Sequence, residues 1–248
     1  MAHYYNKDGK PMFDIIGKNG NKRKLTIKDV REHDLYPSVT TVLGILAAPE
    51  LETWKQDQII RACGVVGCTN KEAILDEAFK KASIARDYGD LLHKYINQLV
   101  TGNNNLEYPD ILPATKKAIA KEFERIKLIL GSEQTVVDHD LGVAGTYDLF
   151  CVLQDDRRCL VDFKNQTTLT DSGTSKKITV YNKSKMQAAE YAKIVNADCV
   201  VIFTISRDEA GRCEWYELTP EEYADSKEMF RYVSGMYRLD KKLRTIKE

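Results

Sequence analysis

Apolar residues recur every three to four positions through much of the first half of the chain, the spacing of one face of an α-helix. Ser38 precedes the first such run and can cap a helix. Residues 3–37, in contrast, contain turn signals at 7–10 and 18–21 and are β-hairpin-like. The predicted helices cover residues 38–46, 49–59, 71–100 and 114–130.

The pattern changes at Glu133, where β-rich apolar runs replace the helical spacing. The predicted strands cover residues 135–137, 143–153, 159–163, 199–205 and 214–218, and the predicted helices cover 183–196 and 220–239. This order indicates an α/β or α+β fold, with a central mixed sheet flanked by helices. We predict an N-terminal hairpin and helical region at 1–82 and a core at 83–248, forming one compact unit.

Charged residues interrupt two of these predicted strands. Asp162 and Lys164 are two residues apart, so the alternation of a strand places both side chains on one face. Asp148 begins the apolar part of the preceding strand. If the strands 148–153 and 158–164 pair as a hairpin whose partner numbers sum to 310, Asp148 lies opposite Asp162.

Two carboxylates that lie so close repel each other unless a cation joins them. Mg²⁺ suits such a site because it needs few carboxylates and keeps water in its coordination shell. Lys164 can then position an attacking water or stabilise charge on a phosphate. The alternative is an ordinary Asp–Lys ion pair in a structural or small-molecule-binding protein.

The sequence around these residues resembles the core motif of the PD-(D/E)XK nucleases. That motif has the form G-x-x-D, an apolar strand, and then acid-x-Lys. The matching segments are Gly145-Thr146-Tyr147-Asp148 and Val161-Asp162-Phe163-Lys164. The resemblance implies a restriction-endonuclease-like core and metal-assisted hydrolysis of phosphodiester bonds.

Further motifs in the same order resemble the RecB-like and phage exonuclease branch, which includes the mitochondrial genome maintenance exonuclease. Residues 89–93 are similar to its G-x-x-x-H helix motif, and residues 187–191 to its Q-x-x-x-Y motif. Residues 37–43, with Trp54 beyond them, are similar to its N-terminal region. The match covers about residues 36–205. Asn165 departs from the Thr or Ser that often follows the lysine.

The resemblance implies a role for each matching residue. Asp148, Asp162 and Lys164 are the expected catalytic residues, and one or two Mg²⁺ or Mn²⁺ ions are the expected cofactors. The expected metal ligands are His93, Asp148, Asp162 and the backbone carbonyl of Phe163. Supporting roles are expected for Glu133, Gln187 and Tyr191. DNA contacts are expected from Ser38, Thr40, Thr41, Trp54, Lys183 and Lys185.

The expected substrate is therefore DNA that is single-stranded or has free ends, and an exonuclease is favoured over an endonuclease. DNA processing, recombination or repair is the expected context, with a single-strand-binding or recombination protein as partner. The alternative from another class is a catalytically silent nuclease fold that binds DNA or a protein without cutting.

Charge and cysteine content modify this picture. The 37 Lys and Arg residues balance 37 Asp and Glu residues, which counts against non-specific nucleic-acid binding, although five lysines fall within residues 176–193. The six cysteines form no C-x-x-C motif, and residues 214–248 contain none, so we expect reduced thiols and no iron–sulfur cluster. The chain has no apolar run long enough to span a bilayer and no start that resembles a signal peptide. We therefore expect the cytoplasm of a bacterium or phage-infected cell and no membrane contact.

Overall fold

A computed structural model describes residues 3–17, 19–102, 107–170 and 172–243. The strands are Tyr4–Tyr5 (β1), Pro11–Met12 (β2), Asp14–Ile16 (β3), Lys22–Lys24 (β4), Tyr36–Pro37 (β5), Ile126–Asp138 (β6), Val143–Leu153 (β7), Arg158–Gln166 (β8), Cys199–Ser206 (β9) and Cys213–Glu217 (β10). The helices are Ile27–Glu32 (α1), Val39–Leu43 (α2), Pro49–Val66 (α3), Lys71–Thr101 (α4), Pro113–Phe123 (α5), Asn182–Ile194 (α6) and Pro220–Asp240 (α7).

The central sheet has five strands in the order β10-β9-β8-β7-β6. Its neighbours are antiparallel except β8 and β9, which are parallel and are connected through α6. A parallel pair needs such a crossover connection, because a tight turn reverses the chain direction. The predicted mixed sheet with flanking helices is confirmed. The remaining strands form two small sheets, β2-β1-β5 and β3-β4.

The sheet separates two hydrophobic cores, because alternate residues of each strand face opposite sides. Leu160 lies in the core that includes residues of α2, α6 and α7, whereas Val161 and Phe163 lie in the core that includes residues of α4. Asp162 follows the alternation of Leu160 and is therefore directed towards α6. Burial of Leu160, Val161 and Phe163 thus fixes the side of the sheet that Asp162 faces.

Two predictions about secondary structure are wrong. The helix predicted over 114–130 ends at Phe123, and residues from Ile126 onward are strand β6, which pairs with β7 along its length. Ile126 and Ile129 fit helical spacing, but the long ladder with β7 decides their conformation. Within the predicted hairpin region, α1 was missed although Thr26 and Asp29 form a capping box at its start.

Helix α4 runs without interruption across the predicted boundary at residues 82–83. The division into two regions at that point stays a prediction. No helix among the described residues is both long and apolar enough to cross a membrane.

A buried charged cluster joins β6 to α6 away from the predicted catalytic residues. Glu190 is fully buried, and its Oε1 atom lies 3.6 Å from the ammonium of Lys193, which is also paired with Asp138. Burial raises the pKa of Glu190 to about 8, and the neighbouring Asp138 adds to the rise. Burial also opposes ionisation of Asp138, but interactions with Glu190 and Lys193 outweigh it and lower its pKa. The proton therefore resides on Glu190.

We expect this proton to make stability depend on pH. Because the pKa of Glu190 is higher in the folded than in the unfolded state, its contribution is complete below the unfolded value and is lost as pH rises through about 8. From about pH 5 to about pH 7, the wild type should lose roughly 2 kcal/mol relative to Glu190→Gln, since one pKa unit corresponds to about 1.4 kcal/mol. Urea unfolding at both pH values measures this difference.

Glu107→Gln, at an exposed position, is the matched control and should follow the wild type. An identical pH dependence of stability in wild type and Glu190→Gln would contradict the assignment of the proton.

Candidate metal centre

The site begins where β7 and β8 separate. The predicted register is confirmed, because Leu149 pairs with Val161 and Phe150 with Leu160. The β7–β8 ladder ends at Val161, whereas β8 continues to pair with β9. In the gap, the Asp148 Oδ2 atom accepts a hydrogen bond of 2.6 Å from the backbone N–H of Phe163. The Asp148 side chain therefore replaces the backbone partner that β8 loses.

Glu133 lies beside Asp148 on β6, the other strand that pairs with β7. The pairs Ser132–Leu149 and Gln134–Tyr147 flank it, so the register places Glu133 opposite Asp148. Its φ angle is +50°, a left-handed conformation that is uncommon for a residue with a side chain. Such strain persists where the surrounding structure enforces it and is frequent at functional sites. Three acids on three adjacent strands thus lie side by side: Glu133, Asp148 and Asp162.

Helix α4 adds His93 to this row. Its Nδ1 atom lies 3.3 Å from Oε1 of Glu133 and 3.4 Å from Oδ1 of Asp148. One ligand atom from each of these three residues falls within 4.8 Å of the other two. The His93 ring also packs edge-on against Phe163, with centroids 5.8 Å apart. An imidazole and carboxylates converging in this way can hold a divalent cation such as Mg²⁺ or Mn²⁺.

The electrostatics of Glu133, Asp148, Asp162 and His93 favour the binding of additional positive charge. Burial, together with the charge of Asp162, raises the pKa of Asp148 to about 7, although His93 and Lys164 oppose the rise. Burial lowers the pKa of His93, but Glu133 and Asp148 outweigh burial and raise it overall. Both shifts mean that the cluster retains protons more tightly than isolated side chains do. The residues present therefore fit a bound metal ion, which would compete with those protons.

Lys164 lies beside the acids and is held on two sides. Its ammonium is 2.6 Å from Oδ2 of Asp162 and donates a long hydrogen bond of 3.5 Å to Oε1 of Gln187 on α6. Burial lowers the pKa of Lys164, but Asp162 and Asp148 outweigh it and raise the net value. Lys164 is therefore charged, with its position fixed next to the carboxylates.

Tyr191 lies one helical turn beyond Gln187 and fills space over β7. A side chain at Gly145 would collide with the Tyr191 hydroxyl, so this glycine allows the close approach. Burial raises the pKa of the Tyr191 phenol strongly, and the nearby Asp162 contributes. Gln187 and Tyr191 thus both face the sheet at the acidic cluster.

The residues expected to contact DNA occupy other places. Ser38 caps α2, its hydroxyl lies within 3.0 Å of the Thr40 and Thr41 hydroxyl oxygens, and Trp54 lies on α3. The Lys183 ammonium donates to the Leu46 carbonyl, and Lys185 pairs with Glu222. Among the described residues, no hydrogen bond or ion pair joins these six to the acidic cluster. As folded, Lys183 and Lys185 are held by protein acceptors, which weakens the expectation that they bind phosphate.

Sequence reasoning missed three residues that line the cleft in front of the cluster, namely Asp90, Lys94 and Asn97. The cleft has a volume of about 420 Å³ and is lined by Asp90, His93, Lys94, Asn97 and Glu133. Asn97 lies one turn beyond His93, and its Oδ1 atom is 2.9 Å from the Ser132 hydroxyl, which also reaches the Asp148 carbonyl. Helical spacing from His93 was the signal that could have identified Asn97.

Comparison with known proteins gives little further guidance. No family model and no curated protein matches the chain. Among solved structures, SSO0001 is 15% identical with a TM-score of 0.34, covering 77% of this chain and 86% of its own. A protein of Eubacterium rectale described as "putative exonuclease" is 13% identical with a TM-score of 0.41, covering 82% and 88%. At these low values the two likenesses by themselves assign neither fold nor activity.

We expect His93→Ala to weaken Mn²⁺ binding without unfolding the protein. The substitution removes one of three converging ligands, so the Mn²⁺ dissociation constant should rise roughly tenfold or more, since even residues that only orient ligands contribute this much. Calorimetric titration of Mn²⁺ beside a thermal melt measures both quantities. His139→Ala, an exposed histidine whose ring contacts Tyr36, is the control. Unchanged Mn²⁺ affinity with a lowered melting temperature would make His93 a packing residue.

Proposed function

We propose that this protein is a metal-dependent nuclease of the PD-(D/E)XK type that hydrolyses phosphodiester bonds of DNA. One observation carries the proposal: Glu133 and Asp148, on adjacent strands, converge with His93, while Asp162 at the next register position is ion-paired at 2.6 Å to Lys164. A structural ion pair needs only one acid and one base. Two further carboxylates beside this pair increase repulsion, and their convergence with an imidazole is explained by a divalent cation.

His93, Glu133 and Asp148 would hold the cation, with Asp162 and the Phe163 carbonyl as further expected ligands. The bound ion would supply Lewis-acid activation of water and neutralise charge on the phosphate. Hydrolysis forms a bond between water oxygen and phosphorus and breaks the bond to the leaving sugar oxygen, which takes up a proton.

The role of Lys164 follows from its fixed position. Its ammonium stands beside the carboxylates, where it can orient the attacking water and stabilise negative charge that develops on the phosphate oxygens. Gln187 restrains the lysine from the side of α6. The conformational cost of placing this charge is therefore met during folding and not during the reaction.

The substrate would enter through the cleft in front of His93 and Glu133. Lys94 lines this cleft, has an exposed side chain, and is without a hydrogen bond or ion pair to the described residues. An unpaired ammonium in this position suits a DNA phosphate next to the one being cleaved. The preference for single strands or free ends, and for exonuclease action, rests on the sequence resemblance.

End-labelled single-stranded and double-stranded DNA, incubated with Mg²⁺, Mn²⁺, Ca²⁺ or EDTA, tests the proposal. We expect cleavage with Mg²⁺ or Mn²⁺, little with Ca²⁺ because its coordination is looser, and none in EDTA. Undiminished cleavage in excess EDTA would exclude the metal mechanism. Binding without cleavage of any nucleic acid would favour the silent binding module.

We expect Lys164→Ala to reduce single-turnover cleavage by roughly 10²-fold or more, the scale lost with one electrostatic stabiliser. DNA affinity measured in Ca²⁺ should change little, because phosphate contacts are spread over several residues. Lys127→Ala is the matched control, since Lys127 lies on β6 of the same sheet and forms an exposed ion pair with Asp156 in the β7–β8 turn. Retained cleavage by Lys164→Ala together with a large loss of thermal stability would assign the lysine a structural role.

A further inference from the structure

Asn165, the residue that departs from the family pattern, contacts helix α4 directly. Its side-chain amide lies against Gly89, and a methyl group added to Gly89 would collide with the Asn165 Nδ2 atom. Gly89 is buried within a helix, where glycine is less favourable than alanine. The contact gives a reason for the glycine, because only a residue without a side chain leaves room for the amide.

Arg207 fixes the orientation of that amide. Its Nη1 atom donates a 2.6 Å hydrogen bond to Oδ1 of Asn165, and its Nε atom donates to the Thr167 hydroxyl at 3.1 Å. A guanidinium has no acceptor, so only the carbonyl end of the amide can face it. The NH₂ end is then directed at Gly89. Arg207 is itself tied to β8, because its backbone N–H donates to the Gln166 carbonyl at 3.0 Å.

Two contacts together set the position of α4 along β8. Gly89 meets Asn165, and His93 meets Phe163. Four residues of helix span about 6 Å, and two residues of strand span about 6.6 Å. The two spacings match, so both contacts can form only when α4 and β8 are in one relative position. That position brings His93 Nδ1 to 3.4 Å from Asp148.

We infer that Asn165 and Arg207 are positioning residues, which hold α4 in register with β8 and so keep His93 beside Glu133 and Asp148 for metal binding. Neither residue touches the three ligand atoms. The inference rests on the proposed function, since it concerns the same metal site. It accounts for a glycine, an asparagine and an arginine that the reaction does not use directly.

Calorimetric titration of Mn²⁺ in the absence of DNA tests this inference without relying on nuclease activity. We expect Gly89→Ala to raise the Mn²⁺ dissociation constant about tenfold, the lower end of the effect of residues that orient metal ligands. The double variant Gly89→Ala/Asn165→Ala should bind Mn²⁺ more tightly than Gly89→Ala alone, because the colliding amide is gone. Gly235→Ala, in helix α7 with open space around the glycine, is the matched control and should bind as wild type does.

Arg207→Met gives a second test if Gly89→Ala does not fold. Without the guanidinium the amide can rotate, and the Mn²⁺ dissociation constant should rise several-fold with unchanged helix content. Wild-type affinity in Gly89→Ala or in Arg207→Met overturns the inference, as does a double variant as weak as Gly89→Ala. Failure of the wild type itself to bind Mn²⁺ would instead overturn the proposed function and the inference with it.

Discussion

The arrangement of the site depends on one electrostatic constraint, the placement of Asp148 between two other acids. Glu133 lies opposite it on β6, and Asp162 lies at the next register position on β8. Carboxylates in partly buried surroundings are costly unless cations or hydrogen-bond donors compensate them. Three nearby groups provide this compensation, namely the Phe163 N–H, the imidazole of His93 and the ammonium of Lys164.

The constraint also explains why the sheet opens at this point. If β7 and β8 stayed paired beyond Val161, the Phe163 N–H would face backbone and Asp148 would lose its donor. Separation of the strands exposes that N–H to the carboxylate instead. The position of Asp148 in the candidate metal centre therefore follows from where the β7–β8 ladder ends, while β8 stays paired with its parallel neighbour β9.

The sequence predicted the part of the site that depends on local structure. Asp148 and Asp162 are joined by a short hairpin loop, so the loop length alone determines their register. Lys164 follows from the alternation of a strand. The position of Glu133 was harder to predict from the sequence. It depends on residues 126–130 forming a strand, and the apolar spacing of those residues also fits a helix. The Asn165–Gly89 contact joins positions 76 residues apart and has no local signal, although the glycine in mid-helix and the unusual asparagine were each visible.

The balance of charge at the site explains how it can fold without a bound metal ion. Three carboxylates face the Lys164 ammonium and the His93 imidazole, so negative charge is in excess. The raised pKa of Asp148, about 7, shows how the excess is relieved: burial and Asp162 favour its protonated form near neutral pH. A proton and a divalent cation would then be alternative partners for the same carboxylate, so a metal that bound there would release a proton and would bind more weakly as pH falls. Lys164 cannot substitute for either, because its ammonium is already committed to Asp162 and Gln187. The contacts of Lys164 with Asp162 and Gln187 thus do not depend on which partner Asp148 holds.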